Sequence, residues 1–416
     1  MSDTLLDRAR LRRLFDLRGE VFDTRGGSYP DDPNPTFNRL RSTGPVHPGT
    51  PHEALGVQGS FFFEGLPYPS REHFTAYDFK TCANVLRDES RFVTNQPPLA
   101  GERPLTNAGM LFMDGVEHRN HRALVQPSFV PARAVWWLEN WIEATVHRLI
   151  DGLEAEGAAD LNVEFCAPIP LLTITGSFGI GVDEALEVRA AVTSDGHDLS
   201  LLPRLVAPIV ASRRSEPRDD LITVLAQAEI TDEDGQQRRL SDEEIVGFSV
   251  LLLGAGSGTT WKQMGITLMA LLQHPEALAT ARDDPEFVKA VAEESLRWAP
   301  TDPVFARFVA EDTELAGVEL PGGSVIHVCL ASANRDPVRW ERPDEFDPFR
   351  PFKPHLGFGR GPHTCLGMHV ARAEMISGVT TLLERLPNLR LDPDAPPPRI
   401  VGLYERGPTA VPVRFD

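Results

Sequence analysis

Apolar and polar positions follow a helical spacing through most of the chain. From Glu117 to about Pro275 this pattern predicts a series of helices, and another helix follows Cys365. Residues 1–60 are rich in proline, glycine and charge, which predicts an irregular N-terminal arm with a short helix. Residues 61–112 mix short strand-like runs with loops. The pattern predicts a mainly α protein with small β-sheets, of the α+β class.

The C-terminal part of the chain has a different pattern. Residues 313–328 predict a hairpin that turns around residues 321–323, Pro-Gly-Gly. Residues 335–364 hold many Pro, Arg and Phe residues without periodicity, which predicts a long structured loop, and residues 400–415 predict a strand pair. Because no repeat and no low-complexity linker interrupts the chain, we expect residues 1–416 to form one domain.

A long central helix is predicted from Ser241 to Gln273. Ser241 and Glu244 form a capping-box pattern at its start. The helix would extend over about 33 residues, on the order of 50 Å. Its middle reads Gly-Ala-Gly-Ser-Gly-Thr-Thr over residues 254–260, and each glycine inside a helix costs about 1 kcal/mol relative to alanine. Close helix packing, a helix break, or a groove for a flat ligand beside the Thr259 hydroxyl would each explain these glycines.

Composition excludes several classes of protein. The 416 residues include 41 basic and 60 acidic side chains, a formal net charge of −19, which argues against nucleic-acid binding. The four cysteines are scattered without a CxxC pair, which argues against a disulfide scaffold or a zinc ribbon and suits a reducing compartment.

No targeting or membrane segment is predicted. The N-terminal residues are charged and lack the apolar stretch of a signal peptide. The longest uncharged run, residues 166–182, contains two prolines and is interpreted as a buried helix and its turn. We therefore expect a cytoplasmic prokaryotic protein that is not bound to a membrane.

The strongest chemical signal is a glycine-rich loop around one cysteine. The pattern FxxGxxxCxG is formed by Phe358, Gly361, Cys365 and Gly367. A thiolate just before a helix is stabilised by free backbone N–H groups and by the helix dipole. An ordinary buried thiol is the alternative for a lone cysteine. A zinc site through His363, Cys365 and His369 lacks a fourth ligand.

This pattern resembles the haem-binding loop of the cytochrome P450 family. The Glu294-x-x-Arg297 pair, Arg350, and the segment from Ala333 to Pro337 resemble further family motifs, in the family order. The resemblance implies the P450 fold, with a long central helix over haem b and Cys365 as the axial ligand of the iron. It implies haem contacts from His118, Arg122, Arg307, His363, Phe358, Gly359, Gly367, Ala255 and Gly256, and a structural role for Glu294, Arg297 and Arg350.

The same resemblance implies a monooxygenase that inserts one oxygen atom from O2 into a small hydrophobic or aromatic substrate. Hydroxylation and oxidative O-demethylation are the reactions considered. Electrons would come from a ferredoxin or flavodoxin with an NAD(P)H reductase, and the protein would be a monomer. The substrate pocket would be lined by residues 99–111, Ala255, Val304, Phe305, Leu403 and Tyr404, and a basic patch for the electron donor would include Arg119, Arg360 and Arg372.

The central helix departs from the family pattern at one position. The family has an acid followed by Thr, which together deliver protons; here Gly258 precedes Thr259. Thr259, Ser257 and position 258 are therefore the catalytic positions, and the proton supply is in question. A peroxide-driven peroxygenase and a haem protein that only binds a ligand are the alternatives. The segment from Gly181 to Asp219, the lid in the family, is also short.

Overall fold

Helices make up most of the protein. The computed structural model describes residues 6–16, 29, 31–57, 70–96, 109–193, 200–231 and 236–416. Its α-helices are Arg8–Phe15, Asn34–Thr43, Pro51–Ala54, Phe79–Arg87, Gly115–Val125, Ala134–Trp137, Glu143–Asp151, Pro168–Ser177, Val182–Thr193, Leu201–Ser215, Leu221–Gln227, Asp242–Ser257, Thr259–Gln273, Pro275–Asp283, Val288–Trp298, Leu330–Ala333 and Met368–Arg385. Together with the small sheets described next, they confirm the predicted α+β class.

The largest sheet in the described part of the chain has five strands, which come from residues 46–329. Its strand order is Val46–Pro48, His73–Ala76, Val325–Cys329, Val304–Val309 and Phe92–Val93. Only the second and third strands pair in parallel; the other neighbours are antiparallel. The smaller sheets pair Arg390–Leu391 with Pro412–Arg414 and Ala158–Asp160, Ile400–Val401 with Gly407–Pro408, Glu229–Thr231 with Gln237–Arg239, and Thr313–Leu315 with Val318–Leu320.

The N-terminal region is more regular than its composition predicts. Where residues 1–60 are described, they form three helices and the edge strand Val46–Pro48. Helix Phe79–Arg87 was also not predicted, since only strand-like runs and loops were expected there. Asp78 caps this helix by accepting the N–H of Thr81. Long-range pairing with the five-stranded sheet orders this part of the chain.

The predicted hairpin around residues 321–323 was placed wrongly. The turn lies instead at Ala316 and Gly317, which have φ of 52° and 84° and join strands Thr313–Leu315 and Val318–Leu320. A two-residue hairpin turn with positive φ at both positions matches the twist of the strands it joins. The Pro-Gly-Gly segment leads on to strand Val325–Cys329.

The long predicted central helix is divided at Gly258. Helix Asp242–Ser257 begins with the predicted capping box of Ser241 and Glu244, and helix Thr259–Gln273 follows. Gly258 keeps helical angles, φ −93° and ψ −56°, between the two helices.

The structure confirms further sequence predictions wholly or in part. Residues 334–367 contain no helix or strand, which confirms the structured loop, and helix Met368–Arg385 follows it. In the tail, Ile400–Val401 pairs with Gly407–Pro408, whereas Pro412–Arg414 joins a different sheet. The uncharged run 166–182 holds the buried helix Pro168–Ser177.

No single helix in the described ranges is long and apolar enough to cross a membrane. Two consecutive stretches, Asn162–Ser177 and Val182–Ala191, meet the length and composition test only together, and they are bent by 114°.

Candidate active site

The cysteine loop is shaped by two glycines with positive φ. Gly359 and Gly361 have φ of 68° and 80°. A Cβ on Gly361 would overlap the backbone carbonyl oxygen of Leu86, so this position accepts only glycine. The loop closes on itself where the N–H of Cys365 donates to the oxygen of Phe358 at 2.9 Å. The predicted motif therefore places Cys365 at a fixed point just before a helix.

Cys365 is the exposed cysteine; Cys82, Cys166 and Cys329 are buried. Its helix begins at Met368 with Gly367 as N-cap. Burial raises the pKa of Cys365, although the backbone N–H of Gly367 lowers it. Cys365 is thus accessible, which an ordinary buried cysteine is not.

Two histidines form a polar wall next to this loop. The rings of His118, on helix Gly115–Val125, and His363 stack with centroids 3.9 Å apart. Burial, His363 and Arg122 lower the pKa of His118 to about 4. His363 Nε2 lies 3.6 Å from Asp114 Oδ1. His118 Nδ1 and His363 Nε2 are buried without a hydrogen-bond partner.

Two arginines extend the polar wall. Arg122 Nη2 donates to the carbonyl oxygen of Thr364 at 2.7 Å, and burial lowers its pKa although Cys365 raises it. Burial lowers the pKa of Arg307 to about 10, and the charge of Asp114 opposes this shift. The four polar side chains among the predicted haem contacts thus gather on one wall, and its excess of positive charge suits an acidic ligand.

The middle of the central helix is exposed although its flanks are buried. Gly254 and Ala255 are exposed, whereas Leu252 and Leu253 are buried. A Cβ built on Gly254 or Gly256 would meet no atom within 4 Å, so the glycines leave backbone open to a flat group. The Thr259 hydroxyl donates to the carbonyl oxygen of Ala255 at 3.2 Å.

A carboxylate that the sequence analysis missed lies against Gly258. A Cβ built on Gly258 would be 3.2 Å from both Glu405 carboxylate oxygens. Glu405 Oε2 also pairs with Lys262 Nζ at 2.6 Å. Asp302 lies beside this pair. Only the replacement of the expected acid by Gly258 hinted at a change, because Glu405 is far away in sequence.

The predicted brace forms behind the cysteine loop. Arg297 Nε and Nη2 bind Glu294 at 2.8 and 2.7 Å, and Arg350 Nε binds the same carboxylate at 3.0 Å. Arg297 also donates to the backbone oxygens of residues 334, 343 and 345. One helix is thereby tied to the loop that leads to Cys365.

The structure gives less support to the predicted lining of the substrate pocket. Val304 packs in a cluster with Phe37, and the side chain of Leu403 is also buried. Ordinary core packing is sufficient to explain both positions. Phe305 is half-buried and packs against the core beneath the large sheet, and Tyr404 is buried. Of residues 99–111, positions 99–108 lie outside the described residues.

These residues fit a haem with thiolate ligation. Cys365 offers one accessible sulfur, the central-helix glycines offer a flat face, and His118 Nδ1, which has no hydrogen-bond partner, suits a carboxylate. In the described part of the chain, no three His, Cys, Asp or Glu residues are grouped to hold a metal ion by themselves. The fold and site therefore define a helical haem-thiolate protein.

Comparison with known proteins gives the family. Residues 202–403 match the family model described as Cytochrome P450. Cytochrome P450 107B1 of Saccharopolyspora erythraea is 35% identical over 326 residues, 76% of this chain and 78% of that protein. Cytochrome P450 monooxygenase PikC of Streptomyces venezuelae is 31% identical over 411 residues, 94% and 92% of the two chains. The solved structure of CYP109Q5 from Chondromyces apiculatus has a TM-score of 0.78 at 29% identity and covers 92% of this chain and 95% of its own.

The chain belongs to the cytochrome P450 family. It is a P450 monooxygenase, an oxidoreductase, and the family's cofactor is haem b with a thiolate-ligated iron. Enzymes of this family need O2 and a redox partner.

Proposed function

We propose that this single-domain, monomeric enzyme inserts one oxygen atom from O2 into a small hydrophobic or aromatic substrate, by hydroxylation or oxidative O-demethylation. The observation that carries the proposal is the accessible Cys365 thiol, held just before helix Met368–Arg385 by the loop that contains Gly361 and Gly359. Haem bound there supplies the oxygen chemistry, and a thiolate ligand favours O–O cleavage.

The surrounding residues take the roles of binding and proton handling. His118, Arg122, Arg307 and His363 bind the acidic edge of the haem, because they form one buried, positively charged wall. Phe358, Gly359 and Gly367 line the side of the haem pocket that holds Cys365, and Ala255 and Gly256 line the opposite side. Thr259 holds a proton at Oγ1, which it can redirect from the Ala255 carbonyl. Glu294, Arg297 and Arg350 keep the cysteine loop in place.

A ferredoxin or flavodoxin with an NAD(P)H reductase is proposed as the electron source. Of the three predicted patch residues, Arg119 already pairs with Glu89 at 2.8 Å, and Arg372 is held by Glu293. Arg360 instead lies within electrostatic reach of two further cations, Arg87 and Arg339, and its pKa is lowered by burial and by those two charges. This cluster is the better docking patch for an acidic donor. Arg360→Glu should slow reduction and weaken its salt dependence.

The first experiment is the carbon monoxide difference spectrum of the reduced protein. Cys365→Ala should lose the long-wavelength Soret band that gives the family its name, whereas the buried-cysteine control Cys82→Ala should keep it. A wild-type protein without this band would refute the haem-thiolate site.

Turnover assays then separate the candidate reactions. Product formation with NADPH and a reductase supports the monooxygenase, and product formation with peroxide alone supports the peroxygenase that Gly258 suggested. If no product forms under either condition, the protein only binds a ligand. Compounds that shift the haem spin state identify the substrate class. Formaldehyde release from a methoxyarene panel would support O-demethylation, and its absence across the panel would refute that reaction.

A further inference from the structure

We propose that Glu405, which the C-terminal loop brings to the break in the central helix, is the acid that supplies protons for oxygen reduction in place of the missing acid at position 258. This inference rests on the proposed monooxygenase function. It assigns a catalytic role to a residue that the family motif does not contain.

The first support is the position of the carboxylate. Both oxygens of Glu405 lie 3.2 Å from a Cβ built on Gly258. A carboxyl side chain at position 258 would extend from that Cβ into the same space. Glycine therefore makes room for a carboxylate that arrives from another part of the chain, and this carboxylate lies against the residue that precedes Thr259.

The second support is the way Glu405 is held. Its φ of 44° is unusual for a residue with a side chain, and such strain persists only where the surroundings impose it. The next residue, Arg406, donates its N–H to the Thr301 oxygen at 2.6 Å, and the Thr301 hydroxyl donates to the Arg406 oxygen at 2.7 Å. Lys262, one turn after Gly258, binds the carboxylate at 2.6 Å.

The third support is a route for protons. Asp302 Oδ1 is buried without a hydrogen-bond partner, and the Asp302 carboxyl accepts the Glu405 N–H. Burial, followed by the charge of Glu405, raises the pKa of Asp302 to about 7, although Lys262 opposes this. The Glu405 side chain is 25% exposed, so it can exchange protons with solvent. Arg189, on helix Val182–Thr193, is a further charged group within electrostatic reach of Glu405.

The chemistry requires such a route. Insertion of oxygen into a substrate RH consumes O2, two electrons and two protons and gives ROH and water. The electrons come from the ferredoxin-type donor, and the protons come from solvent. We infer that the Glu405 carboxylate takes protons from solvent and Asp302 and passes them towards the Thr259 hydroxyl. A positioned acid of this kind typically contributes about 10²–10⁴-fold to a rate.

The geometry is tested by unfolding, without any turnover. The urea midpoint of the haem-loaded protein is measured at pH 8 for Gly258→Asp, Glu405→Gln and the double variant. Gly258→Asp should lower the midpoint by crowding two carboxylates, and Glu405→Gln in the same chain should restore it. Gly247→Asp is the matched control, because Gly247 is exposed on the same helix with no atom near its Cβ. Equal, additive shifts at positions 247 and 258 would overturn the proposal.

The catalytic role is tested by O2-dependent NADPH consumption and peroxide and water formation with a surrogate ferredoxin and its reductase at saturating concentrations. Glu405→Gln should reduce the rate about tenfold or more, increase the effect of D2O and alter the pH profile. Gly258→Asp/Glu405→Gln should recover the rate. Lys262→Gln, which removes the ion pair but keeps the acid, should lose much less.

The outcomes separate this inference from the proposed function. A Glu405→Gln variant with the wild-type rate and D2O effect, or a Lys262→Gln variant with the same loss as Glu405→Gln, would overturn the role of Glu405. Both results presuppose the normal carbon monoxide spectrum in the wild type. A wild type without that spectrum would refute the haem-thiolate function instead, while the unfolding test would still report on the contact between positions 258 and 405.

Discussion

Glu294→Gln is expected to destabilise the brace behind the cysteine loop strongly. The substitution keeps the size and shape of the side chain but removes its charge. In the wild type, one carboxylate accepts two hydrogen bonds from Arg297 and one from Arg350, and it also accepts the backbone N–H of Asp347 at 2.9 Å. The glutamine amide offers a single acceptor oxygen, and its NH2 group would face arginine donors.

The expected magnitude follows from the burial of this pair. The side chains of Glu294 and Arg297 are 4% and 2% exposed, so water cannot replace the lost interactions. A hydrogen bond to a charged group contributes about 1.5–3 kcal/mol, and removing one partner of a buried ion pair costs about 3–5 kcal/mol. We therefore expect the free energy of unfolding to fall by about 3–5 kcal/mol.

Urea unfolding of the haem-loaded protein, followed by far-ultraviolet circular dichroism and by the Soret band, measures this loss. Glu286→Gln is the control, because Glu286 pairs with Lys289 at the same three-residue spacing but on the surface, with 76% and 56% of the two side chains exposed. That variant should change stability by less than about 1 kcal/mol. A Glu294→Gln variant no less stable than the control would refute the reasoning that this network is a buried brace.

The remaining predictions concern the glycines and one buried acid. Gly361→Ala should abolish haem incorporation, because its Cβ would overlap the Leu86 carbonyl oxygen. Gly317→Ala, with φ of 84° and nothing within 4 Å of its Cβ, should keep haem incorporation and lower the free energy of unfolding by only about 1–3 kcal/mol. Equal haem incorporation by the two variants would contradict the overlap. Gly256→Ala should stabilise the haem-free protein by up to about 1 kcal/mol but lower its haem affinity, measured by haem titration, and unchanged affinity would argue against a flat group on this face. Burial raises the pKa of Glu374 to about 8, so the folded state keeps a proton that the unfolded state releases above about pH 4.5. The contribution of Glu374 to stability should therefore decline by about 1.4 kcal/mol per pH unit between those two values, and Glu374→Gln should remove that contribution; identical pH slopes of wild type and variant in urea unfolding would contradict it.

Local sequence patterns determined much of this protein. The spacing of Phe358, Gly361 and Cys365 was sufficient to predict the cysteine loop, because glycine conformations and a helix start are encoded within a few residues. The capping box at Ser241 and the pair Glu294 and Arg297 are equally local. Mainly helical architecture, small sheets and the long loop before the cysteine also followed from patterning along the chain.

Contacts between distant segments were decided only by the tertiary structure. The hairpin turns at Ala316 and Gly317 because strand register, and not the Pro-Gly-Gly signal, selects the turn. The composition of the N-terminal region did not predict the edge strand Val46–Pro48, because this strand forms only by pairing within the sheet. Most of all, the sequence showed a missing acid at Gly258, and only folding brought Glu405 to the same place. Backbone pairing and packing fix such an approach across the chain, and no spacing along the sequence encodes it.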